Sequence, residues 1–273
     1  MRRRTASLVL LSAGAISVVG LAPVSASTHA LTTHVVSADH GRFLPAVKGE
    51  VLPTHNGTAS SLNWSGYATA PGSGVTGVTS TFTVPAVNVL PPGFAANWAG
   101  IGGYTSSDLI QAGTSEDELQ GDYAWYEILP DSETPLTDCT GDPACTVNPG
   151  DVVTVDIHNV GTNLWSVSLR DGTRWTWQQD IPYVSSESSA EWIFEAPTVG
   201  VQTIPANTGT NYFGPTSTYT DASGSHPIAA GNPVSIDMGI GIGVNEATPS
   251  ALASDGQSFN VCAYQQSCPT PAS

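Results

Sequence analysis

From Leu62 onward the chain is built of short runs in which apolar and polar residues alternate. "VTSTFTV" (78–84), "DVVTVDIHNV" (151–160) and "LWSVSLRDGTRWTWQQ" (164–179) set β-branched or aromatic residues two positions apart. That period of two puts apolar side chains on one face of an extended strand and polar ones on the other. Gly, Pro, Asn and Asp punctuate the runs, and no segment sustains a helical apolar period. The pattern predicts one all-β domain of antiparallel strands, a sandwich or a barrel. Asp171 and Gly172, lying between two alternating runs, predict a hairpin. "PVSIDMGIGIGV" (233–244) predicts a strand with Gly239, Gly241 and Gly243 on one face for close sheet packing. It lacks the spacing and the helix of a nucleotide-binding loop.

Two segments precede this domain. Arg2, Arg3 and Arg4 lead into the apolar run 7–22, which is interrupted by Ser and Gly and followed by small residues ending at Ala26. A membrane anchor would need a longer unbroken run, so residues 1–26 are expected to be a cleaved signal peptide and the protein to be secreted. Residues 27–58 show little periodicity but hold four of the six histidines, with Arg42 and Lys48. They are expected to be a pro-segment or a linker, processed between roughly 50 and 62 and followed by the β domain at 59–273.

Charge sharpens the picture, because five of the seven Lys and Arg residues lie before residue 50. Of the 23 acidic residues only Asp39 and Glu50 precede residue 59, leaving 21 against Arg170 and Arg174. So anionic a domain repels nucleic acid and anionic membranes, and neither is an expected partner. Crowded carboxylates with few cations favour their protonated forms, so the fold is expected to be more stable in acid than near neutrality. Within the same balance, the cationic 27–58 stretch could lie on the domain at neutral pH and let go as the carboxylates protonate.

Four cysteines allow three pairings. "CTGDPAC" and "CAYQQSC" favour two local staples, Cys139 with Cys145 and Cys262 with Cys268, as suits an exported protein. A zinc site would call for closer CxxC spacing and nearby histidines, which are missing. Only His158 and His226 follow residue 58, and HExxH, GxSxG, DTG and DSG are all absent. Serine, zinc and aspartic peptidase chemistries are thereby disfavoured, which leaves carboxylates and amides.

"AEWIFEAP" (190–197) packs Trp, Ile and Phe between two glutamates. As a strand it places Trp192 and Phe194 toward a core, with Glu191, Ile193 and Glu195 on the opposite, partly wet face. Glu191 and Glu195 are about 13 Å apart along such a strand, too far for a glycosidase pair, which needs ~5 to 9.5 Å. A glycanase would instead pair Glu195 with Glu127 of "AWYE", and a carbohydrate-binding sandwich would use Trp98 and Trp125 as its platform. Glu116, Asp117 and Glu118 are expected to form a solvated acidic loop.

Seven runs occur in the order found in one family: "NWSGY" (63–67), "TFTVP" (81–85), "NWAGIGG" (97–103), "LIQAG" (109–113), "AWYE" (124–127), "PGD" (149–151) and "AEWIFE" (190–195). Together they resemble the glutamic peptidases, the eqolisins or peptidase family G1, over roughly residues 62–221. The resemblance implies a single-domain antiparallel β-sandwich of two packed sheets, jelly-roll or concanavalin-like, secreted as an inactive precursor. It implies an acid-acting endopeptidase with protein or peptide substrates, no metal or organic cofactor, and a monomer as the default. Gln111 and Glu195 match the family's catalytic dyad, and Trp98 and Glu127 match cleft positions, with Trp125 beside them as a further candidate. Gly102 stands where fungal members carry Asp, and Ile128 with Leu129 where they carry an aromatic pair. These departures bear on substrate preference and leave the dyad intact.

Overall fold

The computed structural model describes residues 38–48, 52–53, 56–71, 74–88, 93–117, 121–240 and 243–272. The expected signal peptide at 1–26 lies outside them. Among the described residues strands dominate, and the one helical element is a single 3-10 turn, Ile228–Gly231. No helix among the described residues is long and apolar enough to cross a membrane.

Two layers face each other. The first runs Thr58–Ser61, Val234–Gly239, Trp64–Thr69, Ala190–Glu195, Phe94–Gly102, Leu109–Asp117 and Tyr123–Ile128 in spatial order, antiparallel except for the parallel pairing of its first two strands. The second runs Gly224–Pro227, Thr218–Asp221, Gly77–Thr83, Val152–Gly161, Leu164–Asp171 and Trp175–Pro182, antiparallel throughout. Thr210–Phe213, Phe259–Ala263 and Asn245–Pro249 join the layers at one side. This is the expected all-β sandwich.

Alternation sorts the side chains into two clusters. Between the sheets lie Phe82, Val153, Val155, Ile157, Val167 and Leu169 of one layer against Ile101, Ile110, Ala112, Ala124, Trp192 and Phe194 of the other. Trp192 and Phe194 are fully buried, and each contributes an upper bound of about 4–6 kcal/mol of transfer free energy if 150–250 Å² leaves water. On the outer face of the first sheet a second cluster gathers Trp64, Trp98, Trp125, Leu109, Ile193 and Ile236, with Phe43 packed on it from before the domain. Gly113 lies under Trp98, where a Cβ would run into the Asn97 carbonyl.

Both predicted disulfides are present, Cys139–Cys145 and Cys262–Cys268. The hairpin turns through residues 172–174, with Gly172 at φ +46°, so Asp171 itself pairs with Trp175. The glycine-rich run is corrected. Its strand ends at Gly239 in a register shift, where a Cβ would come within 2.5 Å of the Val244 carbonyl, and Gly243 turns the chain at φ +80°. Gly241 lies outside the described residues. The expected solvated acidic loop is a strand end instead: Glu116 is wholly buried on the inward face with Ile110 and Ala112, and Asp117 is 6% exposed. Glu118 is outside the described residues.

Candidate active site

The outer face of the first sheet carries the candidate residues because neighbouring strands bring matching registers side by side. Gln111 pairs across the ladder with Glu127, and Trp98 with both Ile193 and Gly113. The period of two then turns Trp98, Gln111, Trp125, Glu127, Glu191 and Glu195 to one side. This face was expected to be partly wet, and it is dry: Glu191 and Glu195 have no exposed surface. Residues 38–46 cover it.

That segment crosses the sheet in an extended course. Asp39 exchanges two main-chain hydrogen bonds with Thr198, Phe43 N–H donates to Gly103 O, and Leu44 O and Ala46 N–H bond to Leu62 and Ser60. Trp64 Nε1 donates to the Gly41 carbonyl at 3.0 Å, and Asn63 Nδ2 donates to the Arg42 carbonyl at 3.2 Å. The Phe43 ring meets Tyr104 and Trp64 edge-on at 5.1 and 5.9 Å.

His40 sits at the centre and is fully buried. Its ring lies flat on Trp125, with centroids 3.7 Å apart and planes 3° from parallel. Nδ1 is 3.3 Å from Glu195 Oε2, and Nε2 is 2.9 Å from Glu133 Oε2. Its N–H donates to Glu127 Oε2 at 3.0 Å, and its carbonyl accepts the Gln111 amide at 2.5 Å. Gln111 Nε2 also donates to Glu127 Oε2 at 2.9 Å. Glu195 accepts from Trp98 Nε1 at 2.7 Å and from Asn63 Nδ2 at 3.3 Å. Four of the five predicted residues, Glu195, Gln111, Glu127 and Trp125, therefore meet His40 or its peptide group, and Trp98 reaches it through Glu195.

Titration follows from this crowding. Burial alone would lower the His40 pKa, but hydrogen bonds and charge from Glu133 and Glu195 outweigh it and raise the value to about 10. Burial raises Glu195, against the opposing pull of His40, Trp98 and Asn63. Burial likewise lifts Glu127 to about 8, with the His40 charge opposing. Glu191 and Glu116 are pushed well above the usual carboxylate range, chiefly by burial. Glu191 stays outside the hydrogen bonds of His40.

Sequence reasoning missed His40, Glu133 and Asn63 as site residues. Asn63 stood in plain view within "NWSGY". Charge complementarity between residues 27–58 and the domain was the signal for His40, although it marked the stretch and not the residue. Glu133 lies in the cysteine-bearing stretch 131–148, whose departure from the family pattern pointed to the cleft rim but not to this one residue.

The all-β sandwich with these residues on the outer face of one sheet is the arrangement that the resemblance to the glutamic peptidases implies. The chain belongs to the Peptidase A4 family, whose model matches residues 62–261. Aspergillopepsin-2 of Aspergillus niger is 28% identical over 185 residues, covering 56% of this chain and 63% of that protein. The chain thus spans less than two thirds of that relative. Scytalido-glutamic peptidase, solved with a transition-state analogue inhibitor, superposes with a TM-score of 0.60 at 18% identity, over 74% of this chain and 98% of that one. SCP-B, an eqolisin solved with the tripeptide Ala-Ile-His, gives 0.57 at 16% identity over the same shares. At such identity these two likenesses show the fold.

Proposed function

We propose that the chain is the secreted precursor of an acid-acting glutamic endopeptidase, with Glu195 as general base and acid and Gln111 as oxyanion donor. The observation that carries this is the Gln111 amide on the His40 carbonyl while Glu195 faces the same residue. A carbonyl bonded in this way sits as a scissile one would.

In the reaction Glu195 takes a proton from water as the water oxygen bonds to the carbonyl carbon. The negative charge gathers on the carbonyl oxygen, where the Gln111 N–H stabilises it, an interaction commonly worth about 10² to 10³ in rate. Glu195 then returns the proton to the amide nitrogen as the C–N bond breaks. Trp98 and Asn63 hold the carboxylate by donating to both its oxygens. Glu127 fixes the Gln111 amide by accepting from it.

In the precursor, His40 Nδ1 occupies Glu195, so water has no base and the His40–Gly41 bond survives. Around that ring stand Glu127, Glu133 and Glu195, and the Glu116 charge also acts on it. Burial raises the Glu195 pKa from its ordinary value, so as pH falls this carboxylate takes up a proton and its ion pair with His40 is lost. Acid therefore loosens residues 38–46. An extended peptide held in the cleft through its main chain favours peptide substrates over the glycans of the alternative readings.

The test is hydrolysis of an unfolded protein at about pH 3.5, just below the ordinary Glu pKa, by acid-treated wild type and Glu195→Gln with pepstatin present. Cleavage by wild type alone is expected. Equal cleavage by both would remove Glu195 from its role, and none by folded wild type would sink the peptidase.

A further inference from the structure

The His40 side chain fills a pocket whose chemistry is legible apart from the dyad. One wall is the flat face of Trp125. Its far end is Glu133, with Oε2 at 2.9 Å from Nε2, and Ser115 Oγ lies 3.4 Å from the same nitrogen. Glu133 is itself held in place. Its Oε1 accepts from the Tyr123 hydroxyl at 2.8 Å, a contact independent of the covering segment, and with that segment in place also from Ala38 N–H at 2.9 Å.

An aromatic face ending in an oriented carboxylate is a receptor for cations. The ring quadrupole attracts positive charge lying over it, and the carboxylate accepts a charge-assisted hydrogen bond from the end of the side chain. A neutral aliphatic side chain there would strand Glu133 without a cation, and an acidic one would be repelled. The main chain fixes which substrate residue enters. His40 is the residue whose carbonyl Gln111 holds, so its side chain occupies the place of the residue on the N-terminal side of the scissile bond.

We propose that Trp125 and Glu133 form the specificity pocket of this peptidase and select a basic residue, Lys, Arg or His, immediately before the cleaved bond. The inference rests on the peptidase function proposed above. It also separates two duties that His40 combines. Nε2 meets Glu133, which is recognition, whereas Nδ1 meets Glu195, which is blockade. Lys has a single terminal nitrogen and no counterpart to Nδ1, so it satisfies Glu133 and leaves Glu195 free for water. Substrates with Lys at this position are turned over faster than those with His.

The experiment uses the full chain after acid treatment and four quenched fluorescent peptides identical except for Lys, His, Leu or Glu before a single cleavable bond. Expected kcat/KM for Lys exceeds that for Leu by about tenfold or more, the worth of one charge-assisted hydrogen bond. Glu is the poorest, and His shows a lower kcat than Lys. In Glu133→Gln the Lys-to-Leu ratio falls toward one. A wild-type ratio near one, or a preference for Leu, overturns the inference whatever the variant does. A ratio retained in Glu133→Gln removes that residue from the pocket. Cleavage of an unfolded protein at sites unrelated to basic residues sinks the specificity alone, whereas no cleavage of protein or peptide sinks the peptidase and this pocket together.

Discussion

Replacing His40 by Ala should free residues 38–46 from the sheet, and the size of the effect follows from the contacts. Raising the His40 pKa from 6.5 to about 10 means that the site prefers the charged ring by about 5 kcal/mol, at 1.36 kcal/mol per unit. Removing one partner of a buried ion pair costs about 3–5 kcal/mol, because the other charge is left unpaired. In His40→Ala, Glu133 and Glu195 regain hydration only when the segment lifts. Both figures make lifting easier by between about 10² and 10⁴. Trypsin can read this at pH 7, well below the value at which His40 gives up its proton. The Phe43 N–H of the Arg42–Phe43 bond is tied to Gly103 O at 3.1 Å, so cutting there requires release. When reclosing outpaces cutting, the rate tracks the released population. Nicking after Arg42, followed by intact mass, should accelerate at least 100-fold in His40→Ala, relative to cutting after Arg174 in the same sample. A change of less than about threefold would refute the argument that this histidine fastens the segment.

Three further outcomes follow from the same structure. The raised carboxyls of Glu191 and Glu116 keep their protons longer in the folded chain, so stability falls as pH rises above the ordinary carboxylate range; the melting temperature should be higher near pH 4 than at pH 7. Glu191→Gln should raise the pH 7 value with little change at pH 4, and parallel shifts at both would contradict it. Trp98→Phe deletes the 2.7 Å donor to Glu195 and should raise that carboxyl's pKa, moving the acid limb of the rate profile to higher pH; an unmoved limb would deny Trp98 that part. Gly113→Ala forces a methyl against Asn97 and Trp98, with an expected destabilisation of about 1–3 kcal/mol or more by chemical denaturation, and a neutral result would mean that the strands can spread.

Much of the fold was legible because strand alternation is a local code. "AEWIFE" sent Trp192 and Phe194 between the sheets and its glutamates outward, as its period required. The cysteine spacing likewise named both staples. The wetness of the outer face was misjudged because its cover comes from far away in sequence: His40 meets Glu133, Glu127 and Glu195 across 93, 87 and 155 residues. No periodicity encodes such a contact. Glu116 was misread for a related reason, since three acidic letters in a row suggest solvent while strand register buried one of them among aliphatic side chains.

The outer cluster of Trp64, Trp98, Trp125 and Ile193 is completed by Phe43, and this ties birth and lifetime together. On the proposal that residues 38–46 leave on activation, the surface that must be bare for work is completed here by a piece that would be removed. A processed molecule that unfolded would then lack the part that completes its working face, and its endurance in acid would rest on how slowly it opens.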